Sequence, residues 1–376
     1  MSRRLLGVAA VLALGLGACT VGPPQPSGVS LSIGVDVQLT GPEAASGKAV
    51  LDAVNRVATE EYHGRIEGLP LTVRQFDDSA NGRRDPAQGR RNLDRMVADS
   101  HLVGVIGPLN SDLASAEIPI ANAAHLVLVS PAASNACLTK RLPSCITPPA
   151  DLRPSGPNEF FRVVATDDLE PVALLQYATN TLHATHFAVA SDGQDYGKAA
   201  RAGFEAALKK AGLTATTSAE VDPNNQAAVD AFLAEAKTAG ADAVFFGGRE
   251  AGGACKVRPR MQTPFGTTAP FLGESGISGA TCLKDAAAMT AGVYSVAAGT
   301  GSPAQLAETA ARVLLRALTM SVKAAGGNIP RREEVRVAVS HSADPRFDSN
   351  GDTADRFFTV YQGQAAGWMP AGQVRV

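Results

Sequence analysis

The sequence is poor in aromatic residues and has no excess of charge of one sign. Phe, Tyr and Trp make up 5% of its 376 residues, with a single Trp. So few rings argue against a stacking platform for nucleic-acid bases. The 34 Lys and Arg residues oppose 36 Asp and Glu residues, which gives a formal net charge of −2. This balance offers no electrostatic reason to expect nucleic acid or an anionic membrane surface as a partner.

Long hydrophobic runs are also missing beyond the N-terminal segment, which excludes a polytopic membrane protein. A hydrophobic share of 45% excludes intrinsic disorder for the bulk of the chain. Because one hydrophobic core rarely grows to this chain length, we expect two domains.

The first residues have the organisation of an export signal. Arg3 and Arg4 precede an uncharged apolar run over 5–17, which is too short to span a bilayer comfortably. The run ends in Leu-Gly-Ala-Cys, which resembles the lipobox of bacterial lipoproteins. We therefore predict a signal peptide over 1–19 and lipid attachment at Cys19. The paired arginines leave the general and the twin-arginine export routes both open.

Lipidation at Cys19 predicts an extracytoplasmic protein anchored to the cell membrane by its lipid. The segment 20–30 contains three prolines and indicates an extended tether between the anchor and the folded chain. Cleavage at an ordinary signal site, with Cys19 lost or unmodified, is the alternative.

Four further cysteines, Cys137, Cys145, Cys255 and Cys282, follow in the exported part. An even number in an oxidising compartment indicates two disulfides. Of the three possible pairings, Cys137–Cys145 with Cys255–Cys282 costs the least loop entropy. Zinc is the competing interpretation, but no pair has the CxxC spacing and the histidines are scattered. We predict two disulfides and no metal site.

Short apolar strands alternate with amphipathic helices along the rest of the chain. In the first half we predict strands at 31–35, 71–76, 102–106 and 126–129. In the second half we predict strands at 187–190, 214–221, 243–246, 271–273 and 292–296. A long helix over about 303–325 and a terminal hairpin from 357 follow. The pattern predicts an α/β fold of two doubly wound lobes, each a parallel sheet flanked by helices.

Motifs of catalysis are mostly missing. The loop after the first strand lacks the GxGxxG spacing, and no strand leads into a complete P-loop. Residues 273–276, Gly-Glu-Ser-Gly, approach the nucleophile elbow, but the second glycine comes one residue early. The stretch 348–352 is half a calcium loop, and Thr359 stands where the required glutamate would be, so we predict a turn. We expect a non-enzyme without a cofactor; an exported hydrolase using Ser275 is the alternative.

A series of short motifs resembles the type I periplasmic-type solute-binding proteins of the branched-chain amino acid class, over nearly all of the mature chain. The motifs are LTGP at 39–42, FDDS at 76–79, VIGPLNS at 105–111, SPAAS at 130–134, FRV at 161–163, SDGQDYG at 191–197 and FLGE at 271–274. The resemblance implies two lobes joined by a hinge of three crossovers. It places the N-terminal lobe at 31–158 and 299–345, and the C-terminal lobe at 159–298 and 346–376.

The resemblance also implies a function. It indicates a lipoprotein that captures an amino acid, or a related small carboxylate or amide, between the lobes and delivers it to an ABC permease. We expect a monomer whose partners are that ligand, the permease and the membrane. A sensing lipoprotein of the same fold, which acts on a signalling partner, is the alternative. Neighbouring permease and ATPase genes favour transport, whereas a kinase gene favours sensing.

Three candidate site residues follow strand ends in the first half of the chain. Ligands of open α/β sheets bind beyond the carboxyl ends of the strands, and Ser111, Ala132 and Ser134 all lie just past such ends. Hydroxyls and free N–H groups at helix N-termini suit a carboxylate. By resemblance, Ser111 and Ser134 hold the ligand carboxylate and Ala132 offers its carbonyl to the amino group. The competing interpretation makes the serines helix N-caps.

Further candidates come from the second half and from departures from the family pattern. By resemblance, Tyr196 closes over the ligand and Glu274 pairs with its ammonium group, while the competing interpretation places Tyr196 in the core. Arg249 stands where the family often has an aromatic residue, and Ser46 lies near the family's first-loop aromatic position. Arg249 either pairs with an acidic group of the ligand or pairs with Glu250 at the rim.

Overall fold

The structure is a computed structural model that describes residues 30–143 and 145–376. The predicted signal peptide, Cys19 and nearly all of the tether lie outside the described residues. Within the described part, no helix combines the length and the apolar character needed to cross a membrane.

Fifteen strands lie within the described residues. In chain order they are β1 (Leu31–Val37), β2 (Arg65–Ile66), β3 (Leu69–Asp77), β4 (Ser79–Ala80), β5 (Arg83–Arg84), β6 (Leu102–Ile106), β7 (Val127–Ser130), β8 (Phe160–Arg162), β9 (Phe187–Ser191), β10 (Thr217–Glu220), β11 (Ala243–Gly247), β12 (Phe271–Gly273), β13 (Val293–Ala298), β14 (Phe357–Gln364) and β15 (Gly367–Arg375).

Eleven α-helices connect and cover these strands in the same described part of the chain. They are α1 (Ala44–Arg56), α2 (Pro86–Val97), α3 (Ser111–Ala123), α4 (Glu170–Asn180), α5 (Asp195–Lys210), α6 (Gln226–Thr238), α7 (Val257–Arg260), α8 (Gln262–Phe265), α9 (Ala280–Ala286), α10 (Pro303–Ala324) and α11 (Arg332–Ser340). The four-residue helices α7 and α8 were not predicted, since one helical turn leaves no periodicity to detect.

The first sheet has the strand order β2-β3-β1-β6-β7-β8. β1 lies inside the sheet and pairs in parallel with β3 and β6. Its residues Leu31, Ile33 and Val35 are fully buried, because helices cover both faces of the sheet. This sheet and the helices packed on it are called the first lobe below.

The second sheet has the strand order β10-β9-β11-β12-β13-β14-β15. Its strands run parallel as far as β13, and the antiparallel pair β14–β15 then extends its edge. The predicted terminal hairpin is therefore confirmed. β10 begins at Thr217 rather than at 214, and Thr217 pairs with Ala188 of β9. This sheet and its helices are called the second lobe.

Apolar side chains fill both faces of each sheet. In the first lobe, Val54 of α1 and Leu318 of α10 pack on one face, and Met96 of α2 and Ile118 of α3 pack on the other. In the second lobe α4 and α5 cover one face and α6 the other. Full burial of each such side chain contributes about 1.5–3 kcal/mol. The predicted fold class, two parallel sheets flanked by helices, is confirmed.

The chain crosses between the lobes more than once. After β13 of the second lobe, α10 begins with a capping box in which Ser302 and Gln305 exchange hydrogen bonds, and it packs on the first sheet. β14 and β15 then return to the second sheet. Between these elements the Phe347 ring lies 5.2 Å from that of Phe161 in the first lobe. The domain boundaries given above remain a prediction.

Both predicted disulfides are present. Cys137 is bonded to Cys145, and Cys255 to Cys282, with Cα atoms 5.4 and 5.1 Å apart. The second disulfide joins the segment after β11 to α9, and both of its cysteines are buried in the second lobe. It therefore fixes the base of the loop that carries Glu274.

Candidate functional site

Ser111 is the first residue of α3, directly beyond the end of β6. Asn110 takes the N-cap position, so Ser111 is not the helix cap that the competing interpretation made it. Instead its Oγ accepts a hydrogen bond from the backbone N–H of Asn135 at 3.1 Å. Ser111 is thereby tied to the loop after β7, which carries the other predicted residues of the first lobe.

The loop after β7 is shaped by Ser130. The Ser130 hydroxyl donates to the carbonyl of Pro108 at 2.7 Å and accepts from the N–H of Ala133 at 3.0 Å. Ala132 and Ser134 lie in this turn, partly buried. The carbonyl of Ser134 accepts from the N–H of Asp167 at 2.9 Å. The turn therefore connects the end of β7 to the crossover that follows β8.

A buried arginine holds the same turn from behind. Arg162, at the end of β8, is 0% exposed and donates to the carbonyls of Ala133 and Asn135 at 2.9 and 2.7 Å. Its Nε lies 2.7 Å from Asp352 Oδ1. Since the guanidinium presents donors in a fixed plane, it sets the orientation of the loop backbone.

Asp167 joins the first lobe to the carboxyls of the second. It follows β8 in the first crossover, and its Oδ1 accepts from the N–H of Ala136 at 2.9 Å. Burial raises the pKa of Asp167 above its ordinary value. Its negative charge in turn acts on Glu170 and Glu274, which places all three carboxyls in one neighbourhood.

Glu274 follows β12, and its carboxyl has the fewest hydrogen-bond partners of the three. Its Oε1 is buried and has no hydrogen-bond partner among the described residues. Burial, then the charge of Asp167, raises the pKa of Glu274 to about 8. Beside it Glu170 is 1% exposed, and its Oε2 accepts from the N–H of Ser275 at 3.0 Å. Burial and the Glu274 charge raise the pKa of Glu170 well above its ordinary value.

Tyr196 lies in the first turn of α5, beside the Glu274 loop. Its hydroxyl accepts from the N–H of Gly276 at 3.0 Å, and its side chain is only partly buried. Burial, followed by the charges of Glu274 and Glu170, raises the pKa of the Tyr196 phenol, so it stays neutral. The residue is neither wholly in the core nor free in solvent.

Arg249 and Glu250 do not pair with each other in the described structure. The Arg249 guanidinium lies over the Tyr196 ring, 4.0 Å from its centroid. Glu250 Oε2 instead accepts from the N–H of Cys282 at 3.0 Å. The interpretation in which Arg249 pairs with Glu250 at the rim is therefore wrong. Arg249 lies against Tyr196, which is predicted to bind the ligand.

Hydrogen bonds, charges and one ring contact relate most of the predicted residues to one another. Ser111 is hydrogen-bonded to the loop that carries Ala132 and Ser134, and Ser134 is hydrogen-bonded to Asp167. The charge of Asp167 acts on Glu274, the charge of Glu274 acts on Tyr196, and Arg249 lies over the Tyr196 ring. Ser46 is separate: it is exposed on the first turn of α1. An arrangement of hydroxyls and N–H groups in one lobe and acidic groups in the other suits a small molecule that carries both a carboxylate and an ammonium group.

Sequence reasoning assigned no role to Arg162, Asp167 or Glu170. Arg162 stands in a motif that carries the family resemblance, and a charged residue at the end of an apolar strand was the available signal. Asp167 and Glu170 lie in a polar stretch before a helix, which reads like an ordinary helix start. Only the burial of Glu170 and the partial burial of Asp167 distinguish them.

The fold and this site define a two-lobed α/β binding protein. The chain belongs to the family of periplasmic binding proteins, whose family model matches residues 30–313. This is a family of binding proteins, so the expectation of a non-enzyme is confirmed.

The chain is similar to the Leu/Ile/Val-binding protein homolog 3 of Brucella melitensis, at 28% identity over 262 residues. That match spans 69% of this chain and 65% of the relative, which is less than two thirds of the relative's own length.

Two solved structures share the fold. One is an ABC transporter substrate-binding protein of Desulfitobacterium hafniense in complex with Leu, with a TM-score of 0.66 at 16% identity, covering 91% of this chain and 99% of that one. The other is a branched-chain amino acid transporter substrate-binding protein of Streptococcus pneumoniae in complex with isoleucine. Its TM-score is 0.62 at 17% identity, covering 92% and 100%.

Proposed function

We propose that this protein is an extracytoplasmic solute-binding lipoprotein that captures an amino acid between its two lobes and delivers it to an ABC permease. The observation that carries the proposal is the buried, unpartnered Oε1 of Glu274, next to the crossover that holds Ser134. The names of the Brucella relative and of the two ligand-bound structures support the same ligand class and a transport system.

The ligand carboxylate is assigned to the first lobe. Ser111 and Ser134 lie beyond the ends of β6 and β7, and Ser111 begins α3, whose N-terminal N–H groups suit an anion. The Ala132 carbonyl lies in the same turn and is assigned to the ligand amino group. This half of the site is held in place by Arg162 and Ser130 without help from a ligand.

The ligand ammonium is assigned to the second lobe. Glu274 provides the acceptor that has no partner of its own, and Tyr196 closes over the bound molecule. A ligand shifts the equilibrium between open and closed lobes only through its different affinity for the two states. Since the carboxylate contacts and the ammonium contacts belong to different lobes, a ligand with both groups prefers the closed state.

Ligand binding is tested first by thermal unfolding in the presence of single amino acids, small carboxylates and amides. We expect at least one amino acid to raise the unfolding midpoint, since a ligand that binds only the native state stabilises it. Calorimetry with that amino acid then gives its affinity. If no amino acid in the set stabilises the protein, the proposed ligand class is wrong.

Glu274→Gln tests the ammonium contact. Loss of a charge-assisted hydrogen bond to a buried ligand costs roughly 1.5–3 kcal/mol, which is about tenfold to a hundredfold in affinity. Glu250→Gln is the matched control and should bind like the wild type, since that side chain accepts from Cys282 instead. Equal affinity of Glu274→Gln, Ser111→Ala and the wild type would refute the site assignment.

The anchor is tested separately from the site. We expect wild-type protein in the membrane fraction of a bacterial host, and Cys19→Ala either released from it or not matured. Unmodified full-length protein in the cytosol would contradict lipidation at Cys19, and would leave the binding proposal untouched.

A further inference from the structure

Three carboxylic side chains that belong to no predicted site are buried together in the first lobe. Asp36 lies near the end of β1, Asp78 directly follows β3, and Glu117 lies in α3; each is 0% exposed. The charge of Asp78 acts on Asp36, and the charges of both act on Glu117. These three residues are called the buried carboxyl cluster.

Helix α2 encloses the cluster from the side. The Asn92 amide donates to Asp36 Oδ1 at 2.8 Å and to the carbonyl of Asp77 at 2.9 Å. One turn earlier, a Cβ at Gly89 would lie only 2.4 Å from Glu117 Oε1. The Glu117 carboxyl therefore packs directly on the backbone of α2, in space that only a glycine leaves open.

Most oxygens of the buried carboxyl cluster lack hydrogen-bond partners among the described residues. They are Asp36 Oδ2, both carboxyl oxygens of Asp78 and both of Glu117. Buried polar groups of native proteins are nearly always paired, and an unpaired buried charge is far more costly than an unpaired neutral group. A buried water would satisfy an oxygen, but it would not neutralise a charge.

The charged groups that face the cluster do not balance it. Asp77, Glu43 and Asp112 add negative charge around Asp78. The cation that acts on Asp78 is Arg84, which is 45% exposed and lies 3.1 Å from Asp112. Among the described residues, no three His, Cys, Asp or Glu side chains are arranged to hold a metal ion.

We propose that the buried carboxyl cluster holds protons in the folded protein, and that the loss of these protons as the pH rises destabilises the first lobe. A protonated carboxyl is a hydrogen-bond donor, so each proton supplies a donor that a neighbouring oxygen lacks. It also removes the repulsion between like charges in a medium of low dielectric constant. This proposal does not rest on the ligand of the cleft.

The expected change of stability with pH follows from the pKa values of the cluster. Burial, with the charges of Asp77, Glu43 and Asp112, raises the pKa of Asp78 to about 7. Burial is also the largest cause that raises the pKa values of Asp36 and Glu117 well above their ordinary range. The folded state therefore binds more protons than the unfolded state, whose Asp pKa is about 3.9. The free energy of unfolding therefore falls as the pH rises from that unfolded-state pKa through about 7. The raised pKa values of Asp36 and Glu117 extend this fall to higher pH.

Urea unfolding of the wild type and Glu117→Gln, from about pH 5 to about pH 9, tests the proposal. Gln is neutral at every pH and still donates a hydrogen bond. We expect the variant to lose less stability with rising pH, so that its unfolding constant at about pH 8 is on the order of tenfold smaller than that of the wild type. Asp94→Asn, on the exposed side of α2, should keep the wild-type slope.

A second measurement guards against a variant that folds poorly. The infrared band of protonated carboxyls, recorded for the folded protein at about pH 6, should be weaker in Glu117→Gln and in Asp78→Asn than in the wild type. Equal pH slopes, or equal bands, would overturn the proposal. Recovery of wild-type stability at about pH 8 on addition of Ca²⁺ or Na⁺ would also overturn it, because a cation would then neutralise the cluster.

Discussion

Two sets of buried carboxyls in this protein differ in what neutralises them. The first is the contact between Arg162 of β8 and Asp352 of the segment before β14, called the lobe junction below. Asp352 is 5% exposed, and its Oδ1 lies 2.7 Å from Arg162 Nε. Thr139 Oγ lies 2.8 and 3.0 Å from the two carboxyl oxygens of Asp352. The buried carboxyl cluster of the first lobe has Asn92 and no such cation. The Arg162–Asp352 pair orients the backbone of the loop after β7, whereas the buried carboxyl cluster is proposed to hold protons. The difference shows that the burial of an acid is informative only together with its counter-charge.

Glu170 and Glu274 of the candidate site are intermediate between these two cases in how far their carboxyls have partners. Glu170 receives a backbone N–H, whereas Glu274 keeps one oxygen without a partner. The described residues do not supply the missing positive charge, and in the proposed function the ligand ammonium supplies it. A carboxyl of this kind is suited to receive an ammonium group.

The largest effect is expected from removing the cation at the lobe junction. Arg162→Met leaves Asp352 buried without its counter-charge and takes donors from the carbonyls of Ala133 and Asn135. Breaking a buried ion pair on one side costs about 3–5 kcal/mol, so urea unfolding should show a loss of that size. The exposed Arg249→Met loses only its contact with the Tyr196 ring and should change stability by no more than about 1 kcal/mol.

A double variant sharpens the same comparison. Arg162→Met combined with Asp352→Asn removes both charges, and we expect it to recover part of the loss, since the penalty comes mainly from the uncompensated charge. A double variant as unstable as the sum of the two single ones would show that the pair does not act as a unit.

An intermediate effect is expected from the pH dependence of ligand binding. Glu274 has a pKa of about 8 in the free protein, and an ammonium ligand binds its ionised form. Affinity should therefore rise with pH, by about tenfold per unit well below that pKa, and level off above about 8. Calorimetry in buffers of different ionisation enthalpy should detect a proton released on binding at about pH 7.

Glu274→Gln is the control for this titration. It should remove both the proton release and most of the pH dependence. If the variant keeps the wild-type pH profile, another group titrates with binding, and Glu170 is the first to examine because it adjoins Glu274.

The smallest effect is expected from Arg249→Ala. The guanidinium lies over Tyr196, and a cation–π contact at an exposed position contributes about 0.5–1 kcal/mol. For a ligand with a neutral side chain we expect affinity to fall no more than about fivefold by calorimetry. A loss of more than a hundredfold would instead indicate that Arg249 binds an acidic group of the ligand.

The fold was largely predictable because its signals are local. The apolar runs of β1, β6 and β11 and the stripe of α10 repeat at the periods of strands and helices. The short strands β2, β4 and β5 were not predicted, since a two-residue strand carries no alternation. The disulfide pairing was predicted from loop length alone, and the structure agrees with it.

The candidate site was predictable only where a residue follows a strand end within a recognisable motif. Ser111, Ser134, Tyr196 and Glu274 satisfy that condition, and the hydrogen bonds and charges described above relate them to one another. Arg162, Asp167 and Glu170 do not stand out, because their roles depend on partners far away along the chain. The contact of Arg249 with Tyr196 was also missed, since Tyr196 lies in the first turn of α5 and Arg249 follows β11, far away along the chain.

By itself the sequence determined the two-lobed α/β architecture and the disulfides, and it predicted the edge of the sheets at which the ligand is proposed to bind. These properties depend on periodicity, spacing and the fixed direction of parallel strands. Tertiary structure alone decided which acids keep their charge. Glu274 and Glu117 are the same residue type in the sequence, and their protonation depends on the burial and the charges that distant segments bring to them.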